Sequence, residues 1–205
     1  MSDQRTQAWF AAKLGKVGAS RIVDVISFRR DGSPSKARED YMIELVAERL
    51  TGQITERYCT REMQWGIDME PEARSAYEVA QGVLVSTCGF LEHPTIAGAG
   101  ASPDGLVGDD GLVEFKCPTT ATHIRTLLRG EADPQYIPQM QWQMACTGST
   151  WCHFASYDPR LPEPYQLAAH LVHRNDSYID GLEAQVLAFL REVDEMVQQI
   201  TRRTA

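Results

Sequence analysis

Over most of the first 82 positions apolar side chains return every three or four residues, the spacing of amphipathic helices. "TQAWFAAKLG" predicts a short helix closed by Gly15, and "ASRIVDVISF" a second with Ser20 near its start. A Gly/Ser/Pro loop, "RRDGSPSKAR" (29–38), follows. From Glu39 to about Leu50 the chain then sets Met42, Leu45, Val46 and Leu50 on one buried helical face that ends at Gly52. Residues 60–82 predict a longer helical stretch in which Gly66 and Pro71 are awkward; a proline there requires a helix start or a kink.

Beyond Gly82 the period shortens. "VLVSTCGFLEH", "TIAGAGASPDG", "LVG" and "GLVEFK" are short β-rich runs parted by turn residues, as in an antiparallel meander. Helix returns in "THIRTLLRG" and in "PQYIPQMQWQMACTG", where Pro134 and Pro138 fall near the beginning. "STWCHFASYD" and "YQLAAHLVHR" predict strands joined by the Pro-rich turn "DPRLPEP". From 176 to about 202, Ile179, Leu182, Val186, Phe189, Val193 and Ile200 share one face of a long terminal helix. The order implies α/β or α+β, with a mixed central β-sheet of about five strands flanked by helices.

Composition adds bounds. A length of 205 residues with 43% hydrophobic content suits one domain, 1–205, with an ordinary core. No apolar run reaches membrane-spanning length, and "MSDQRTQAWF" lacks the apolar run of a signal peptide, so a cytoplasmic protein without a membrane partner is expected. Five cysteines with no CxxC pair point to a reducing compartment. Four of them fall at equal spacing, but their neighbours do not match, so no repeat is inferred. A net charge of −8 argues against a chain coated in positive charge for nucleic acid, though not against a local basic groove. The arm 29–38, with Arg29, Arg30, Lys36 and Arg38, is the candidate.

Candidate chemistry centres on "SPDGLVGDDGLVEFKCP" (102–118). A "GDDG" turn makes a hairpin, and Glu114 and Lys116, two apart on a strand, project from one face that Asp104 can also reach. Two carboxylates beside one ammonium suit metal-dependent phosphodiester hydrolysis: the acids hold Mg²⁺, and the lysine orients or deprotonates the attacking water. The pieces are weak singly. With 28 acids in 205 positions, a lysine has roughly a one-in-seven chance of an acid two residues earlier. Glu70 can supply a third carboxylate from the preceding helix, and Gln139 and Gln143 share a helical face.

Taken in order, "WFAAKLGKVGAS", "WGIDMEPEA", "SPDGLVGDDGLVEFKCP", "YIPQMQWQM" and "WCHFASYDPR" resemble the successive motifs of the phage lambda-type recombination exonucleases, a branch of the restriction-endonuclease-like nucleases marked by Pro-Asp and Glu-x-Lys. The resemblance implies a restriction-endonuclease-like α/β core and a Mg²⁺-dependent exonuclease, with Mn²⁺ as an alternative and two ions per site. It makes Asp104, Glu114 and the backbone carbonyl of Phe115 metal ligands, Lys116 the residue that handles the water, Glu70 a contributor to the second ion, and Gln139 its neighbour. Lys13, Ser20 and Ser102 match the family's 5′-phosphate holders; Lys13 departs from the family's arginine, which trades a bidentate fork for a point charge. On this reading Arg29, Arg30, Lys36 and Arg38 meet the duplex phosphates. The implied activity is 5′→3′ digestion of linear double-stranded DNA to mononucleotides by a homotrimeric ring, leaving 3′ single-stranded overhangs for a single-strand annealing partner.

The alternatives are an endonuclease of the same superfamily and an inactive DNA-binding or assembly module; the joint presence of Asp104, Glu114 and Lys116 argues against the latter. Zinc is disfavoured because His170 and His173, and likewise Cys152 and His153, fall on opposite faces of their strands. A Cys117 nucleophile would need a histidine, and His123 is near in sequence only.

Overall fold

The computed structural model describes residues 4, 6–55 and 58–203. Helix α1 (Gln7–Lys13) starts where the Thr6 hydroxyl accepts the Trp9 N–H. A two-residue strand β1 (Val17–Gly18), a 3₁₀ turn over Ala19–Arg21 and the four-residue α2 (Ile22–Val25) follow. The second predicted helix is thus much shorter than its apolar pattern suggested.

Helix α3 (Lys36–Thr51) begins at a Ser35 cap, inside what was expected to be loop, so Lys36 and Arg38 are helical residues. Its Met42, Leu45 and Val46 are buried, but Leu50 is 42% exposed. The last turn docks through Glu48 instead, whose carboxylate accepts the backbone N–H groups of Gly15 and Thr55.

Helix α4 (Arg61–Gln81) runs without a break through Gly66 and Pro71. Of the two expected outcomes, a start or a kink at the proline, the start is not there, since the helix begins earlier at Arg61. A Thr60 cap, a Gly82 C-cap and the seating of Ala73 and Tyr77 on the sheet offset the one hydrogen bond that a proline removes.

The β-rich segment divides in two. Strands β2 (Val85–Ser86), β5 (Gly105–Val107), β6 (Gly111–Lys116), β7 (Trp151–Tyr157) and β8 (Leu167–His173) form the main sheet in the order β2-β5-β6-β7-β8. Within this sheet, among the described residues, only β6 and β7 pair in parallel; α5 (Thr120–Arg129) and α6 (Ile137–Thr147) make the crossover between them. Strands β3 (Leu91–Glu92) and β4 (Ala99–Ala101) join β1 in a small second sheet, β1-β4-β3. A single meander was the expectation; runs this short carry no readable period.

Alternation along β6 sorts its side chains. Val113 and Phe115 pack with Tyr77 and Ala73 of α4, while Leu112 on the other face packs with Met140 and Met144 of α6. A second core gathers α3, α6 and the small sheet against α7 (Asp176–Arg203) through Tyr41, Leu45, Trp142, Val186 and Phe189. Ile179 to Val193 of the predicted apolar face are buried, whereas Ile200 is 40% exposed because α7 outruns its core. Among the described residues, no helix is long and apolar enough to cross a membrane.

Candidate active site

Parallel β6 and β7 end at one edge of the main sheet, and antiparallel β5 begins there. Gly108, at φ +60°, makes the hairpin turn, and at Gly105 a Cβ would lie 2.1 Å from the Val85 side chain, so only glycine lets β5 start this close to β2. Asp104 therefore sits against β6, where its Oδ2 accepts the Phe115 N–H at 2.8 Å.

Glu114 and Lys116 share the α6 face. Glu114 is 1% exposed, and its carboxylate is fully engaged: Oε1 accepts Lys116 Nζ at 2.5 Å and the Gln139 amide, and Oε2 accepts Gln143 Nε2 at 2.6 Å. Lys116 Nζ also lies 4.7 Å from the centre of the Tyr136 ring. Arg74 ties the remaining acid to the group, donating to the Asp104 carbonyl at 3.0 Å and lying 3.7 Å from Glu70.

A cleft of about 800 Å³ opens over this edge, lined by Asp104, Glu114, Lys116, Glu70, Gln139 and Phe115 together with Lys13, Ser20 and Ser102. Lys13 and Ser102 are linked through Trp9: the Lys13 ammonium rests 3.9 Å from the Trp9 ring centre, and the indole N–H donates to Ser102 Oγ at 2.8 Å. The described lining leaves out Arg29, Arg30, Lys36 and Arg38. Arg29 and Lys36 lie near carboxylates, Glu39 at 3.9 Å and Asp40 at 3.2 Å. Arg38 is a correction: it is 3% exposed, with a two-pronged contact to Glu192 at 2.7 and 2.8 Å and a bond to the Val25 carbonyl. Its guanidinium also lies over the Phe189 ring, so it closes the α3–α7 seam and takes no part in an exposed basic arm.

Burial and the crowding of acids together set the electrostatics. Burial first, then the Glu114 carboxylate, raises the Asp104 pKa well above the usual range; Lys116 opposes the shift and Glu70 adds to it. Burial alone would lower the Lys116 pKa, but Glu114 and Asp104 outweigh it and hold the ammonium protonated. The Cys117 thiol is pushed up to about 12 by burial, with Glu70 and Asp104 adding to it. His123 is bonded to Ser156 Oγ at 2.7 Å and the Tyr165 carbonyl at 2.9 Å rather than to that cysteine, so the pair is no nucleophilic dyad.

These donors fit a hard divalent cation. All are oxygens, and the burial and carboxylate repulsion that raise the Asp104 pKa are what such a cation offsets. Among the described residues no three Asp, Glu, His or Cys side chains are placed to hold a metal ion together. Mg²⁺ does not require three, since it is commonly held by one or two carboxylates, waters and substrate oxygens.

Residues 8–150 match the family model of the YqaJ-like viral recombinase domain. The chain belongs to the YqaJ-like viral recombinase family. This YqaJ-like chain is also similar in structure to the alkaline exonuclease LHK-Exo from Laribacter hongkongensis, with 47% identity, a TM-score of 0.90, and 97% of this chain and 98% of that one covered. LHK-Exo in complex with dAMP matches equally well. A phage related exonuclease from Haemophilus somnus 129PT shares the fold at 15% identity and a TM-score of 0.70, over 90% of this chain and 96% of that one. No curated protein sequence matches. The α/β fold and the resemblance to lambda-type recombination exonucleases are both borne out.

Sequence reasoning passed over several residues of the YqaJ-like cleft. Trp9, one helical turn before Lys13, was open to detection by that i, i+4 spacing. Trp65, Tyr136 and Arg160 also line the cleft, and nothing local in sequence joins residues so far apart along the chain.

Proposed function

We propose that this chain is a Mg²⁺-dependent 5′→3′ exonuclease that digests linear double-stranded DNA to mononucleotides and leaves 3′ single-stranded overhangs for recombination by strand annealing. The observation that carries the reading is the shared cleft: an acid-rich centre with one lysine, beside a lysine and two serines suited to a terminal phosphate. Family membership and the likeness to an alkaline exonuclease support it, and the dAMP held by that relative belongs to the class of the expected product.

Asp104, Glu114 and the Phe115 carbonyl would hold one ion, with Glu70 toward a second; Mn²⁺ could replace Mg²⁺. Such ions, when bound, activate water and offset phosphate charge. Lys116, protonated beside Glu114, donates to the attacking water and steadies the charge that grows on the phosphate oxygens. Gln139 and Gln143 fix the Glu114 carboxylate by donating to one oxygen each. Lys13, Ser20 and Ser102 receive the 5′ phosphate, the ammonium as a point charge backed by Trp9. The same reading has the protein work in the cytoplasm as a homotrimeric ring around the duplex, passing its overhang to a single-strand annealing protein.

Incubation of linear and covalently closed circular duplex with the protein and Mg²⁺ tests the activity. Loss of linear DNA alone is expected. Nicked circles would show an endonuclease, and intact DNA of both forms would leave a binding or assembly module.

A further inference from the structure

Arg160 follows β7, on the side of β6 away from β5 and Ser102, yet it lines the same cleft. Its guanidinium is fixed on three sides. Nε and Nη2 donate to Asp158, whose side chain is fully buried, at 2.6 and 3.1 Å, and Nη2 also donates to the Pro118 carbonyl at 3.0 Å. One face lies over the Trp65 indole, 4.6 Å from its centre. Even so the side chain is 45% exposed, and among the described residues Nη1 has no hydrogen-bond partner. The buried Trp65 Nε1 likewise lacks an acceptor.

A surface arginine that only closed a loop would not need an aromatic backing and a fully buried acid to aim it. Such fixing lowers the ordering cost of each further bond the fork makes. Strand order sets β6, which carries Glu114, between β5, which Ser102 and Asp104 precede, and β7, which Arg160 follows, and the cleft that Arg160 lines also takes in the Lys13, Ser20 and Ser102 group. A strand with its 5′ phosphate at that group and its first phosphodiester over Asp104 and Glu114 would continue toward Arg160.

We propose that Arg160, backed by Trp65, is a positioning residue that holds a backbone phosphate of the substrate strand on the 3′ side of the scissile bond. This rests on the cleft being the path of a DNA strand. Its role is to keep the strand in register with the metal centre after each cleavage, through contact with phosphate and without reading bases.

The test compares Arg160→Ala, Arg160→Gln and Arg160→Lys. Affinity for a 5′-phosphorylated duplex is measured by anisotropy across a salt titration, in a Lys116→Ala background so that the DNA survives. Loss of the contact should lower the slope of log affinity against log salt by about one, and Arg160→Lys should restore most of it. In the otherwise unaltered enzyme, KM should rise about tenfold in the alanine and glutamine variants, more than kcat falls. A duplex with a neutral methylphosphonate just 3′ of the scissile bond should weaken the wild type by a similar factor and add little to the loss in Arg160→Gln. An unchanged salt slope with equal methylphosphonate penalties in all variants overturns the proposal. So does a fall in melting temperature as the sole effect. If Arg160→Ala fails to fold, Arg160→Gln, which can keep a bond to Asp158, and the methylphosphonate duplex still decide. A wild type that binds duplex but never digests it would sink the exonuclease reading, while the slope comparison would still report on the phosphate contact.

Discussion

The basic arm at 29–38 and the carboxyl edge of β6 are both dense in charge, yet they are organised in opposite ways. In the arm Lys36 and Arg38 are paired with Asp40 and Glu192, and Arg29 lies near Glu39. At the β6 edge Asp104, Glu114 and Glu70 crowd around Lys116 and Arg74, and burial, with the neighbouring acids adding to it, raises the Asp104 pKa. Local imbalance marks a site, whereas a group that is buried with its donors used inside the fold, as Arg38 is, has little left for a ligand. Charge density alone, the feature most visible along a sequence, does not.

The comparison breaks most visibly if charge at the β6 edge can be removed without consequence. Lys116→Ala should cost roughly 10²–10⁴-fold in single-turnover cleavage of end-labelled DNA while duplex binding persists. Glu114→Ala should do at least as much damage and should also weaken the heat of Mg²⁺ or Mn²⁺ binding in calorimetry.

The arm should show a different kind of loss. Arg38→Ala should lower stability by about 2 kcal/mol, read from a denaturant midpoint, because it strands Glu192 and opens the α3–α7 seam; the half-exposed acid keeps the cost below that of a fully buried pair. Duplex affinity should stay within about twofold, as expected for a residue with no phosphate contact. A large affinity loss at unchanged stability would return Arg38 to the DNA surface.

Smaller still is the effect expected at Lys13. Lys13→Ala should reduce the preference for 5′-phosphorylated over 5′-hydroxyl ends by about tenfold, and Lys13→Arg should retain or sharpen it. At the bottom of the scale, Lys36→Ala should change stability by no more than about 0.5 kcal/mol, since its pair with Asp40 is solvent-exposed.

What could be read from the sequence follows the same physics. The Glu114 and Lys116 pair was legible because a strand places residues two apart on one face, and the buried stretch of α7 because its apolar period persists over several turns. Strands of two or three residues have no period, so the small β1-β4-β3 sheet could not be seen. Arg38 misled because its carboxylate partner, Glu192, lies 154 positions away. Of the start or kink that Pro71 suggested, the start is missing because caps and packing, which local propensity does not register, hold α4 together. Arg160 and Trp65 were hidden for the same reason as the Arg38 partner, a contact made only once β7 and α4 converge on the cleft.

The most direct measurement follows label release from a linear duplex carrying its label at either the 5′ or the 3′ end of one strand, with Mg²⁺ and with a chelator in excess. Prompt release of the 5′ label as a mononucleotide, late release of the 3′ label and no release under chelation are expected. Early release of the 3′ label, or digestion that continues without divalent cations, would contradict a metal-dependent 5′→3′ exonuclease built on Asp104, Glu114 and Lys116.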